Sequence, residues 1–126
     1  MLRARHLLLL LGLAPLAACD GGLRVHQQED SCAYLVTLRV EVVDAAGTAV
    51  RDATVTATNV GTGHTITSIT GERGVTTAVN EDIGEGTVRL TATAGSKVSA
   101  PSEVTWTCDG CHCHPEPDEV KLQLHP

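Results

Sequence analysis

From residue 34 onward the chain sets apolar, often β-branched residues against threonine or charge at every second position, and that period decides what it can fold into. Tyr34, Val36, Leu38, Val40 and Val42 share one face, with Thr37, Arg39 and Glu41 on the other. Ala53, Val55 and Ala57 alternate with Thr54, Thr56 and Thr58; Val88, Leu90, Ala92 and Ala94 alternate with Thr87, Arg89, Thr91 and Thr93. Val104, Trp106 and Cys108 follow the same rule, as do Val120, Leu122 and Leu124. Shorter runs at Thr65 to Ile69 and Val75 to Val79 bring the expected strands to seven. Turn signals separate them, at Asp44 to Gly47, Asn59 to Gly63, Gly71 to Gly74, Gly84 to Gly86 and Ala94 to Ser96. No segment carries a helical period. The expected fold is all-β, a seven-stranded antiparallel sandwich of transthyretin-like or immunoglobulin-like kind, two sheets packed face to face. Phe is absent and Trp and Tyr occur once each, so the core should be thin and in need of covalent staples.

A basic start (Arg3, Arg5) precedes the apolar run Leu7 to Leu13 and the small residues of Leu16-Ala17-Ala18-Cys19. This order reads as a secretory leader, and the cysteine behind the small residues resembles a bacterial lipobox. The resemblance implies cleavage before Cys19 and a diacylglyceryl group on its sulfur. The apolar stretch falls short of the roughly 20 residues a spanning helix needs, whereas two or three acyl chains give stable attachment. The expected organisation is a signal peptide at 1–18, a polar tether at 19–31 and one domain at 32–126. The mature chain is placed in the bacterial cell envelope, outside the cytoplasm, with the membrane as partner through the lipid on Cys19. Asp20 resembles an inner-membrane retention signal of enteric bacteria, a rule that differs between lineages, so the choice of membrane stays open. Losing Arg3 and Arg5 takes the formal charge from -6 to -8. Nucleic acid is disfavoured as a partner by that balance.

At Val42-Val43-Asp44-Ala45-Ala46-Gly47-Thr48-Ala49-Val50-Arg51-Asp52-Ala53-Thr54-Val55 the chain resembles the carboxypeptidase regulatory-like domains, small sandwiches of transthyretin-like topology. Asp44, Gly47, Val50, Ala53 and Val55 take the places of that family's first hairpin. Thr70-Gly71-Glu72-Arg73-Gly74-Val75 and Gly86-Thr87-Val88-Arg89-Leu90-Thr91-Ala92 are similar to its central turn and a later strand. Val75 and Val88 stand where the family usually has aromatic residues. The resemblance implies a non-catalytic accessory or binding module.

Cys108-Asp109-Gly110-Cys111-His112-Cys113-His114-Pro115 admits three chemistries. In an exported chain the even set Cys32, Cys108, Cys111 and Cys113 reads first as two disulfides. Joining Cys111 to Cys113 would close a tight ring that disulfide geometry disfavours. Two pairings remain open: Cys32 with Cys111 plus Cys108 with Cys113, or Cys32 with Cys113 plus Cys108 with Cys111. Cys111-His112-x-x-Pro115 looks like a cysteine position in related lipoprotein domains, and that likeness favours Cys32 with Cys111. In the chain-entropy account a loop of about 80 residues is worth about 4.5 kcal/mol and one of about six residues about 2.

Cys108-x-x-Cys111-His112 also matches the c-type haem attachment pattern, but an all-β chain with few aromatics offers a poor pocket for the ring. Zinc or copper is the third chemistry, with Cys108, Cys111, His112, Cys113 and His114, or His125, as donors. A second half-site of matching spacing is missing, so no metal and no cofactor are expected. Glu81, Asp82 and Glu85 form an acidic loop with oxygens suited to calcium, without a regular ligand spacing, and read as a solvated loop. No nucleophile elbow is present. The expected role is a non-enzymatic binding or structural one, with an envelope protein or carbohydrate as the ligand; a redox- or metal-handling role for the Cys-His cluster is the alternative.

Overall fold

Val40 and Val42, flanked by Arg39, Glu41 and Val43, extend the backbone into β1 (Arg39–Val43) with both valines fully buried. The computed structural model describes residues 32–126, so the leader, Cys19 and the tether lie outside the described residues. Leu35–Pro126 forms a unit of its own, distinct from Met1–Tyr34. The same alternation builds β2 (Thr54–Asn59), β3 (Thr65–Ile69), β5 (Gly86–Ala94), β7 (Ser102–Cys108) and β9 (Glu119–His125). Shorter elements complete the order: β4 (Val75–Thr76), a 3-10 turn (Glu81–Ile83), β6 (Lys97–Ser99) and β8 (Cys113–Glu116). The fold is all-β, with a nearly barrel-shaped sheet. Its strand order is β3-β2-β5-β6-β9-β1-β4, with β7 on β5 and β8 on β7. No helix among the described residues is long and apolar enough to cross a membrane.

Two expectations are corrected. Nine strands form among the described residues, where seven were expected; the additions, β6 and β8, are three and four residues long, too short for alternation to stand out. The sheet is also mixed, because β1 runs parallel to β9, with Val40 opposite Val120 and Val42 opposite Leu122. Alternation fixes which face of a strand is buried but carries no information on direction, and most of the domain lies between β1 and β9 to serve as the crossover.

β1 also starts later than its pattern suggests. Tyr34 and Leu35 are exposed, and the Val36 N–H donates to the Glu81 carboxylate at 2.6 Å instead of to a strand. Further along, β6 and β7 are one run interrupted at Ala100-Pro101. The register on β5 slips by one residue across that break, as Thr93 faces Val98 but Leu90 faces Ser102. There the Ser99 hydroxyl accepts the Ala92 N–H at 2.8 Å, replacing a ladder bond.

One apolar cluster takes Leu38, Val40 and Val42, Val55 and Ala57, Val88, Leu90 and Ala92, Val104 and Trp106, and Val120, Leu122 and Leu124. Each buried Val or Leu side chain adds about 1.5–3 kcal/mol by leaving water. Trp106 is the largest of the fully buried side chains. Asn59, also fully buried, ends β2 and closes one end of the core. Its Nδ2 donates to the carbonyls of Ile83 and Glu85, both at 3.0 Å, and its Oδ1 accepts from the N–H groups of Gly61 at 3.0 Å and Thr62 at 3.2 Å. A buried amide used on both sides in this way fixes the β2–β3 turn against the 3-10 turn.

Candidate functional site

The Cys-His segment forms the β7–β8 hairpin, with Cys108 directly opposite Cys113 and a disulfide between them. Asp109 organises the turn: its Oδ1 accepts the N–H of Cys111 at 2.7 Å and of His112 at 2.8 Å, and its own N–H donates to the His112 carbonyl at 2.8 Å. Those N–H groups, His112 first, hold the Asp109 carboxyl below its ordinary range. Turned inward by this loop, His112 is buried.

Glu81 reaches the same place from the 3-10 turn. Asn80 caps that turn by accepting the Asp82 N–H at 2.9 Å, which fixes where Glu81 points. Its carboxylate receives the Val36 N–H, the Cys113 N–H at 3.2 Å and the His112 Nδ1–H at 3.0 Å. The Val36 bond is the main cause of a lowered Glu81 pKa, with His112 and Cys113 adding to it and burial opposing it. An ionised carboxylate only accepts hydrogen bonds, so the facing His112 nitrogen carries the proton. Glu85, next in the acidic loop, accepts the Cys108 N–H at 3.1 Å.

Two of the three residues expected as a solvated acidic loop are thus backbone acceptors for the hairpin. Contacts between residues 31 apart, such as Glu81 with His112, leave no mark in local spacing. The cysteine expectations fall into place differently. Cys32, Cys108, Cys111 and Cys113 are all disulfide-bonded, so no thiol among them is present to bind a metal or to add to a haem vinyl. His114 is exposed and faces Asp109 Oδ2 at 3.7 Å, with its ring centre 6.2 Å from that of His112. No group of three or more His, Cys, Asp or Glu side chains suited to a metal ion occurs among the described residues.

The opposite character belongs to the outer face of β3, β2, β5 and β7. Thr67, Thr56 and Thr91 stand in one cross-strand row. Thr65, Thr58, Arg89 and Glu103 stand in the next. Arg89 and Glu103 pair at 3.6 Å in solvent, an arrangement of small energetic weight. Thr56, Thr58, Val60, Arg89 and Thr91 line an open depression of about 310 Å³ on this face. Its hydroxyls and one guanidinium could hydrogen-bond a polar ligand, while the threonine methyls give it apolar ground. No protein-family model matches the chain, and none of the curated proteins does.

Proposed function

We propose that this chain is a lipid-anchored module of the bacterial cell envelope, held through Cys19 and acting without catalysis by binding or structural support. The observation that carries the reading is the oxidised state of Cys32, Cys108, Cys111 and Cys113. Paired cysteines persist in oxidising compartments outside the cytoplasm, which is where the leader and its lipobox-like end would deliver the domain. Cys108 is joined to Cys113, and the reading keeps Cys32 with Cys111, the pairing that the likeness to lipoprotein domains favours.

The barrel-like sheet is read as a transthyretin-like sandwich of the carboxypeptidase regulatory-like kind. Support comes from the turns that carry the resemblance. Asp44 Oδ1 accepts the N–H groups of Ala46 and Thr48, both at 2.9 Å, and Gly47 and Gly74 adopt positive φ of 84° and 72°. The threonine-lined depression around Arg89 is the contact surface in this reading, with an envelope protein or carbohydrate as its ligand.

Detergent-phase partition of the full chain and of Cys19→Ala tests the anchor. The wild type should enter the detergent phase and the variant should leave it; equal partition of the two would remove the lipid anchor from the proposal. Mass mapping under non-reducing conditions tests the cysteines, with Cys32 expected on Cys111. Four free thiols with stoichiometric metal would turn the reading to a metal-handling role.

A further inference from the structure

We infer that the free edge of β3 is a self-association site, on which β3 of a second copy of this chain pairs antiparallel about Thr67. Among the described residues, β3 ends the strand order and pairs with β2 alone. The Asn59 N–H donates to His64 and the Thr70 N–H to Ala53, which sets the phase of the β2–β3 ladder. Counting in twos between those points, Ile66 and Ser68 turn their backbone groups toward β2. Thr65, Thr67 and Ile69 therefore direct theirs outward, and all three residues are exposed.

An outward row of N–H and C=O groups is a template for another strand, and natural proteins usually block it with charge, proline or brevity. The other free edges among the described residues are blocked in those ways. β4 has two residues, and β8 carries Pro115 and Glu116. β3, Thr-Ile-Thr-Ser-Ile, has neither charge nor proline. In a chain of net charge -6, it is a strand on which two copies can meet without like charges opposed.

The spacing also suits a two-fold axis. An antiparallel pair centred on Thr67 sets Thr67 against its equivalent and Thr65 against Ile69 at both ends. Each of these pairings joins outward-facing residues and exchanges two main-chain hydrogen bonds. Ile69, 62% exposed, gains a neighbour across the new seam. A two-fold contact of this kind uses the same patch on both copies and closes at the dimer.

Sedimentation velocity of the full chain over a wide concentration range tests this, with a reversible monomer–dimer equilibrium expected. Thr67→Lys and Thr67→Glu, each placing like charges across the axis on an exposed side chain, should weaken dimerisation by about tenfold or more. Mixing the two variants should restore it as a heterodimer. Thr67→Pro, which removes an N–H that β2 does not use, should abolish dimerisation with the far-UV spectrum retained. A wild type that stays monomeric throughout, variants that dimerise like the wild type, or folded Lys and Glu variants that fail to recover on mixing would each overturn the inference.

Discussion

His112 donates its Nδ1–H to Glu81 at 3.0 Å across 31 residues of sequence, and the same carboxylate holds the N–H groups of Val36 and Cys113. One side chain therefore ties the segment before β1, the 3-10 turn and the β7–β8 hairpin together. Its folded pKa lies below the ordinary 4.5. The stability this contributes is complete above the ordinary carboxyl range and is lost as pH falls through the depressed value. Glu81→Gln is expected to lower Tm at neutral pH, with the gap to wild type closing below about pH 4. Thermal scans from neutral to acid pH check this; a gap that is constant with pH would mean the carboxylate's charge contributes nothing.

Asn59→Ala strands two carbonyls and two N–H groups in a buried setting. Loss of about 2–4 kcal/mol is expected from urea unfolding. Asn59→Asp keeps the acceptor for Gly61 and Thr62 but sets an oxygen against the carbonyls of Ile83 and Glu85, so it should also destabilise. An aspartate variant as stable as wild type would contradict the donor role assigned to Nδ2.

How far the sequence reaches is clear from these two side chains. β2, β5, β7 and β9 were legible because each presents one apolar face and one polar face over five or more residues. The alternation runs on through Tyr34, which is exposed because the chain leaves the ladder where the Val36 N–H turns to Glu81. Asn59 opens the turn signal Asn59 to Gly63, and its burial depends on carbonyls 24 and 26 residues away, which local sequence does not show. Strand direction at β1 and β9 had no local signature either. Among the cysteines, the Cys108–Cys113 bond was one of two pairings that spacing allowed, and hairpin register decides it by placing them directly opposite.

Replacing Cys108 and Cys113 together by Ser should cost about 2 kcal/mol, as expected for the short loop the bond closes. The hairpin keeps its Asp109 turn and its ties to Glu81 and Glu85, so the fold should survive. Urea unfolding gives the loss, and amide exchange at Cys111 and His112 should rise locally. Global unfolding of the double variant would show that the hairpin's hydrogen bonds depend on the covalent link.

Gly74 and Gly95 separate two reasons for a glycine. Both have positive φ, 72° and 62°, but a Cβ on Gly95 would meet nothing within 4 Å, whereas on Gly74 it would lie 2.9 Å from the Ala49 Cβ, the Val42 carbonyl oxygen and the Val50 nitrogen. Gly95→Ala should therefore cost only the left-handed backbone strain, about 1–2 kcal/mol. Gly74→Ala adds a clash with backbone that is itself held in place, since Val42 N–H donates to Gly74 and Val50 N–H to Val42. Its expected cost is about 2–4 kcal/mol, strain and overpacking together. Paired urea titrations measure the difference; equal losses at the two positions would mean that the segment from Ala49 to Val50 yields freely to a methyl group.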